Sequence, residues 1–228
     1  MKKLELPSVT AITIDGLELT QEKRETFRKI VDYMRSKINF ASIKMLMVED
    51  PEIEGVDFVK IDPIPSYSEW NQFCLSEMHK HVDTDFCLIF HDDGFVVNAE
   101  MWRPFFLKYD YIGAPWPPLH PWPEPTRSDR RVGNGGFCIR SKRLLEAVKD
   151  FEANQNEDIV IVCERRDELE AKGLKFAPVN VAIDFSIETQ FLEEQSISKC
   201  FGFHGKYRAE EAMRIISSKS EIFSTSLV

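Results

Sequence analysis

The stretch Phe86-Cys87-Leu88-Ile89-Phe90-His91-Asp92-Asp93-Gly94 decides the fold. Five apolar residues in a row suit a strand covered on both faces. The glycine that follows permits a sharp exit, which sets the acidic side chains at the strand's carboxyl end. In open α/β sheets ligands bind at that end. Two carboxylates there outline a metal site, although strands ending in Asp and Gly are also ordinary turn chemistry, so partners elsewhere in the chain must decide.

Outward from this strand, apolar runs alternate with segments of helical period. Val9 to Ile14 reads as a strand with Asp15-Gly16 as its turn, and Thr20 as the N-cap of a helix whose apolar face is Phe27, Ile30, Val31, Met34 and Ile38. Ile43 to Val48 and Asp57 to Ile61 read as further strands, the latter stopped by Pro63 and Pro65. Ser66-Tyr67-Ser68-Glu69 has the spacing of a capping box and opens a helix with Trp70, Phe73, Cys74 and Met78 inward. Strand, helix, strand in repetition implies parallel strands with helical crossovers. The fold class is therefore α/β, a mixed, mostly parallel sheet with helices on both faces.

The second half begins differently. Pro115, Pro117, Pro118, Pro121, Pro123 and Pro125 forbid regular structure, and Trp116, His120 and Trp122 lie among them. Exposed indoles suit the C–H faces of sugars, so this loop is expected to face a ligand. Val132-Gly133-Asn134-Gly135-Gly136-Phe137 is a glycine-rich turn entering a strand. It lets a ligand approach the backbone, but it is not a P-loop because Gly-Lys-Ser/Thr is lacking. Asn156-Glu157-Asp158 caps a helix running to Gly173, Phe176 to Ile183 reads as a strand, and a short amphipathic helix follows Cys200-Phe201-Gly202-Phe203-His204-Gly205. Arg127, Arg130 and Arg131 read as a solvated basic patch, with anion binding as the alternative.

Length and charge bound the function. At 228 residues one compact domain is expected. A formal charge of −9 argues against a nucleic-acid partner, because phosphates need a basic surface. Nowhere do 18 apolar residues follow one another, so no membrane span is expected. The five cysteines, Cys74, Cys87, Cys138, Cys163 and Cys200, are scattered and lack a C-x-x-C pair. They read as small core residues in a reducing compartment. With no signal peptide at the start, a cytoplasmic location is expected.

Taken in order, these segments resemble the GT-A glycosyltransferases, and most closely the DUF5672 family within that clan. The resemblance runs from about Val9 to Gly205. It rests on the strand into His91-Asp92-Asp93, the segment Asp110-Tyr111-Ile112-Gly113-Ala114-Pro115, the turn Gly133 to Phe137, the pair Glu157-Asp158, and Phe203-His204-Gly205. It implies one GT-A-like domain over residues 1–228, with a nucleotide-binding half at about 1–100 and an acceptor half at about 101–228.

In GT-A enzymes an Asp-x-Asp motif holds Mn²⁺ or Mg²⁺ on the diphosphate of a nucleotide-sugar. Here His91 stands at the first motif position and Asp93 at the last. The resemblance therefore implies Asp93 and His204 as metal ligands, with Asp92 turned to ribose or sugar, and a histidine donor favours Mn²⁺ over Mg²⁺. It implies Asp158 as general base of an inverting transfer and Glu157 beside it as the alternative, although acids in a first helical turn also serve the helix dipole. By position, Asp15 would bind base or ribose hydroxyls, and Tyr67 and Asn71 would reach the nucleotide or sugar. Gly135 and Gly136 would line the ligand. The implied donor is a UDP- or GDP-linked sugar, and the acceptor a glycan or another hydroxyl. Two other readings stay open: a metal-dependent nucleotidyltransferase, disfavoured because no glycine- and lysine-rich loop follows the first strand, and a non-catalytic nucleotide- or sugar-binding module.

Overall fold

The computed structural model describes residues 2–118 and 130–224, and their side chains as far as residue 219. Strand β1 (Leu4–Asp15), 12 residues long, is buried without interruption from Val9 onward. Thr20 caps α1 (Gln21–Lys37) by accepting the Lys23 N–H. Phe27, Ile30, Val31 and Met34 then fall on one buried face, each side chain contributing about 1.5–3 kcal/mol by leaving water. Strands β2 (Ile38–Met47) and β3 (Asp57–Lys60) follow. The Ser66 hydroxyl accepts the Glu69 N–H at 3.2 Å and donates to the Glu69 carboxylate at 2.6 Å, which starts α2 (Tyr67–Ser76).

Next come β4 (Phe86–Ile89), β5 (Tyr111–Ile112) and β6 (Cys138–Ser141), with Ser141 capping α3 (Lys142–Val148). The strands form one sheet in the order β3-β2-β1-β4-β6-β5. β1 pairs in parallel with both β2 and β4, and β6 runs antiparallel to β4 and β5. After β3 the chain crosses to the other side of β1, so the order reverses between β1 and β4. Such a reversal leaves a crevice at the strands' carboxyl ends.

Alternation along the strands sorts the two faces. Val9, Ala11, Leu88 and Phe90 pack with α1, while Ile12, Ile14, Cys87 and Ile89 pack with α2 and α3. The cysteines at 74, 87, 138 and 200 are buried and Cys163 is half-buried, all of them as free thiols. Among the described residues, no helix is long and apolar enough to cross a membrane.

The expected helix from Asn156 to Gly173 is interrupted. α4 (Glu157–Ile159) passes into a wide π turn at Val160–Glu164 and resumes as α5 (Arg166–Ala171), which ends at Gly173 with φ +79°. Asn156 makes no side-chain cap; Asn71 takes the Glu157 N–H in its place. The expected strand at Phe176 to Ile183 is wrong. Only Phe176 bridges to Tyr111, and beyond Pro178 the chain turns into α6 (Val179–Phe185), burying Ala182 and Phe185. Two short strands that sequence periodicity did not separate, β7 (Ser186–Ile187) and β8 (Gly202–Phe203), form a small parallel sheet before α7 (Lys206–Ser224).

Candidate active site

A cleft of about 630 Å³ opens at the reversal between β1 and β4. Asp15, Tyr67, Asp92, Asp93, Gly135, Gly136, Glu157, Asp158 and His204 all border it. Nine side chains or backbone positions drawn from both halves of the sequence are thus brought to one place.

Its acidic tip is built by a tight turn. His91 and Gly94 exchange backbone hydrogen bonds, 2.7 Å for the His91 N–H and 3.3 Å for the Gly94 N–H, which swings Asp92 and Asp93 outward. The Gly205 N–H donates to the Asp93 carbonyl at 2.8 Å and ties this tip to the segment after β8. His204 Nε2 then lies 3.7 Å from Asp93 Oδ1. Its Nδ1 lies 3.0 Å from Glu188 Oε1. Burial pulls the His204 pKa down, but the hydrogen bond and charge of Glu188, with Asp93 and Asp158 behind it, outweigh burial and raise it.

These donors suit a divalent cation. Two ligands with bonds of about 2.1 Å sit about 3 to 4 Å apart around one ion, and Nε2 is the imidazole nitrogen left uncommitted by Glu188. Among the described residues no group of three or more His, Cys, Asp and Glu side chains is gathered as a cage. The protein therefore offers an open pair, whose remaining positions would fall to water and phosphate oxygens.

His91 does not join the pair. Burial, reinforced by the charge of His204, drops its pKa to about 4, so it is a neutral imidazole packed 5.5 Å from the Trp70 ring. Trp70 in turn stacks on the exposed ring of Tyr67 at 5.9 Å. Trp70 Nε1 also reaches the Ile14 carbonyl at 3.4 Å, beside Asp15, which ion-pairs with Lys23 from the first turn of α1.

Also bordering the cleft, Asp158 is 8% exposed and its carboxylate accepts three backbone N–H groups: Asn134 at 2.9 Å, Gly135 at 3.2 Å and Ile159 at 2.8 Å. Burial, then the neighbouring charge of Glu157, push its pKa up to about 7 against the pull of Arg140 and the N–H donors. A carboxyl group that titrates near neutrality in a cleft is a candidate acid or base.

Two expected residues are corrected. Glu157 borders the cleft, but one oxygen is ion-paired to the fully buried Arg140 and the other accepts the Asp158 N–H, so it serves as a support for its neighbour. Asn71 does not reach the cleft. Its amide donates to the Tyr67 carbonyl at 2.7 Å and accepts from Glu157 N–H at 3.0 Å, which spends it on joining α2 to α4. The glycines of the turn are explained by side chains of the protein itself. A Cβ on Gly135 would meet Glu157 Oε1 at 2.0 Å, and one on Gly136 would meet His204 Nε2 at 2.0 Å.

The proline loop is also revised where it is described. Trp116 is 5% exposed and its ring fills the space beside Gly133, so it is a cleft-wall residue with little free face. His120, Trp122 and Arg127 lie outside the described residues. Arg130 is buried against Asp167 and the Cys163 carbonyl, and Arg131 donates to the Trp116 carbonyl at 2.6 Å; neither is a solvated patch.

Sequence reasoning missed Glu188, Arg140, Lys23 and the role of Asn134. Asn134 holds φ +71°, is 3% exposed, borders the cleft, and leaves both polar atoms of its amide without a partner. The signal available in the sequence was an asparagine flanked by glycines, Gly133-Asn134-Gly135, since Asn is among the non-glycine residues that most readily take left-handed backbone.

Comparison with known proteins supplies the family. Residues 55–204 match the family described as Protein of unknown function (DUF5672), about two thirds of the chain, and the protein belongs to that family. Among curated proteins no relative matches. Solved structures give distant likenesses. One is a mannosyltransferase, PcManGT, from Pyrobaculum calidifontis in complex with GDP-Man and Mn²⁺, at 12% identity and TM-score 0.44, covering 76% of this chain and 56% of that one. A second is a glycosyltransferase involved in glycosylation of the major capsid of PBCV-1, at 9% identity and TM-score 0.48, covering 91% and 99%. A third is the apo-form glycosyltransferase GlyE of Streptococcus pneumoniae TIGR4, at 11% identity and TM-score 0.47, covering 95% and 63%. The chain thus spans little more than half the length of the first of these.

Proposed function

We propose that the protein is a metal-assisted glycosyltransferase that moves a sugar from a UDP- or GDP-linked donor to an acceptor hydroxyl, with inversion at the anomeric carbon. The observation that carries this reading is the meeting, around one cleft at the sheet's reversal point, of the Asp93–His204 pair and a carboxyl group poised near neutrality at Asp158. A divalent cation, Mn²⁺ or Mg²⁺, held by Asp93 and His204 would supply Lewis-acid stabilisation of the charge on the departing diphosphate.

The remaining work falls to the chain's own residues. Asp15 and the Tyr67–Trp70 stack border the side where the nucleotide would lie, and Lys23, paired to Asp15, is a cation within reach of phosphate. Asp92 is turned to the donor's ribose or sugar, and the Gly135 and Gly136 backbone flanks it. Asp158 takes the proton of the acceptor hydroxyl as the acceptor oxygen bonds to the anomeric carbon. The bond from that carbon to the diphosphate oxygen breaks, and the nucleoside diphosphate leaves with the electron pair. Half-burial of the cleft strengthens each of these electrostatic contacts.

A panel of nucleotide-sugars screened by thermal shift, with and without Mn²⁺, tests the proposal. A selective ligand raises the melting temperature by mass action, and the reading requires that rise to depend on Mn²⁺ and on Asp93. A rise for free sugars alone, indifferent to nucleotide and metal, would favour the binding-module reading.

A further inference from the structure

Glu188 was assigned no role by sequence, yet the fold delivers it to the His204 imidazole by construction. In the small sheet Ser186 faces Gly202 and Ile187 faces Phe203, so the next step along both strands sets Glu188 beside His204. The register is locked from both sides. Ile187 and Phe203 are fully buried, the Phe203 ring meets Phe95 edge-on at 4.8 Å, and the His204 N–H donates to the Ile187 carbonyl at 3.0 Å. Arg208 Nε donates to the Glu188 carbonyl at 2.7 Å, which ties the same residue to the first turns of α7.

We propose that Glu188 is a positioning residue: its carboxylate holds the Nδ1–H of His204 and so turns the bare Nε2 toward Asp93 and the cleft. The proposal rests on the reading of Asp93 and His204 as the cation-binding pair. A neutral imidazole carries one N–H, and the hydrogen bond made by one nitrogen fixes which of the two is free to bind a metal. Glu188 Oε1 lies 3.0 Å from Nδ1 while Asp93 Oδ1 lies 3.7 Å from Nε2, so the two carboxylates take opposite edges of one ring. The ring sits where glycine leaves room for it: a Cβ on Gly136 would stand 2.0 Å from Nε2 and one on Gly94 would stand 2.9 Å from Cδ2.

The test compares wild type with Glu188→Ala and Glu188→Gln. One measurement is the ¹⁵N pattern of the His204 ring by NMR, recorded above the pH at which the ring titrates. The other is Mn²⁺ binding, followed by loss of the free-ion electron paramagnetic resonance signal. Wild type is expected to show the Nδ1–H tautomer. Glu188→Ala loses it and binds Mn²⁺ about 10- to 100-fold more weakly, the range expected when the partner of a metal-bound histidine is removed. Glu188→Gln keeps an acceptor oxygen and therefore keeps the tautomer, with Mn²⁺ affinity between the other two. An Nε2–H tautomer in wild type, or an unchanged tautomer in Glu188→Ala, overturns the proposal. If wild type binds no Mn²⁺, the cation reading fails, and the tautomer alone still decides what Glu188 does.

Discussion

Glu157 and Arg140 form an ion pair closed to solvent, the two side chains 2% and 0% exposed, and the second Glu157 oxygen accepts the N–H of Asp158. The pair therefore stands directly behind the candidate base. It fixes the backbone of α4 at the one point where the helix starts over the cleft, while Asn71 takes the preceding N–H.

Removing one partner of this pair should be costly. Arg140→Met leaves the Glu157 charge buried alone and is expected to lower stability by about 3–5 kcal/mol in urea unfolding, whereas Arg140→Met with Glu157→Leu should recover most of the loss. A loss below about 1 kcal/mol in Arg140→Met, the range of an exposed pair, would deny the pair its structural weight.

The pH dependence follows from Asp158. With a pKa of about 7 it accepts a proton from the acceptor only when ionised, above that pH, so the transfer rate should rise through an apparent pKa near 7. Glu157→Gln removes the neighbouring negative charge and should move this limb to lower pH. The sign for stability is opposite. The folded state holds the proton more tightly than an unfolded carboxyl near pH 3.9, so this contribution is full below about pH 4 and is lost as pH rises through about 7. Asp158→Asn should flatten that part of the stability profile and lower transfer by about 10²- to 10⁴-fold, while nucleotide binding persists. A transfer rate equal to wild type removes Asp158 as the base.

Two glycines should separate site from scaffold. Gly136→Ala drives a methyl group into the end of the His204 side chain, which can swing aside. The protein should therefore fold, melt within a few degrees of wild type, and lose Mn²⁺ binding. Gly113→Ala puts a methyl group 2.0 Å from the Gly133 carbonyl oxygen, which is backbone and cannot swing, so its main effect should be on folding. Differential scanning calorimetry beside Mn²⁺ titration reads both effects, and equal loss of stability in the two variants would contradict the distinction.

Asn134 carries strain at φ +71° and an amide that no protein group uses. Asn134→Gly should raise stability by about 1 kcal/mol, since glycine adopts that backbone without penalty, and weaken use of the donor or acceptor. A stabilised variant with undiminished turnover would leave the amide without a ligand role.

Much of this arrangement was legible in the sequence because local chemistry and long-range topology agree there. Thr20 and Ser66 cap the helices their spacing announced, and the apolar run ending at Asp92-Asp93 is the strand beside β1. Where the two disagree, the reading failed. Val179, Val181 and Ile183 have strand propensity, yet the chain beyond Pro178 buries Ala182 and Phe185 as a helix. Arg140, to which its own stretch gives no role, is sealed inside by Glu157, seventeen residues away. Glu188 meets His204 only through the register of two strands of two residues each, which no periodicity in one chain can display. The π turn after Asp158 is likewise invisible to a 3.6-residue pattern.

The most direct measurement is chromatographic detection of nucleoside diphosphate released from UDP- and GDP-linked sugars by the purified protein with Mn²⁺, set against Asp93→Ala. The account predicts release from at least one donor, faster with an acceptor hydroxyl present, and its loss in Asp93→Ala. Release that is equal in the two proteins would contradict it, as would no release from any donor.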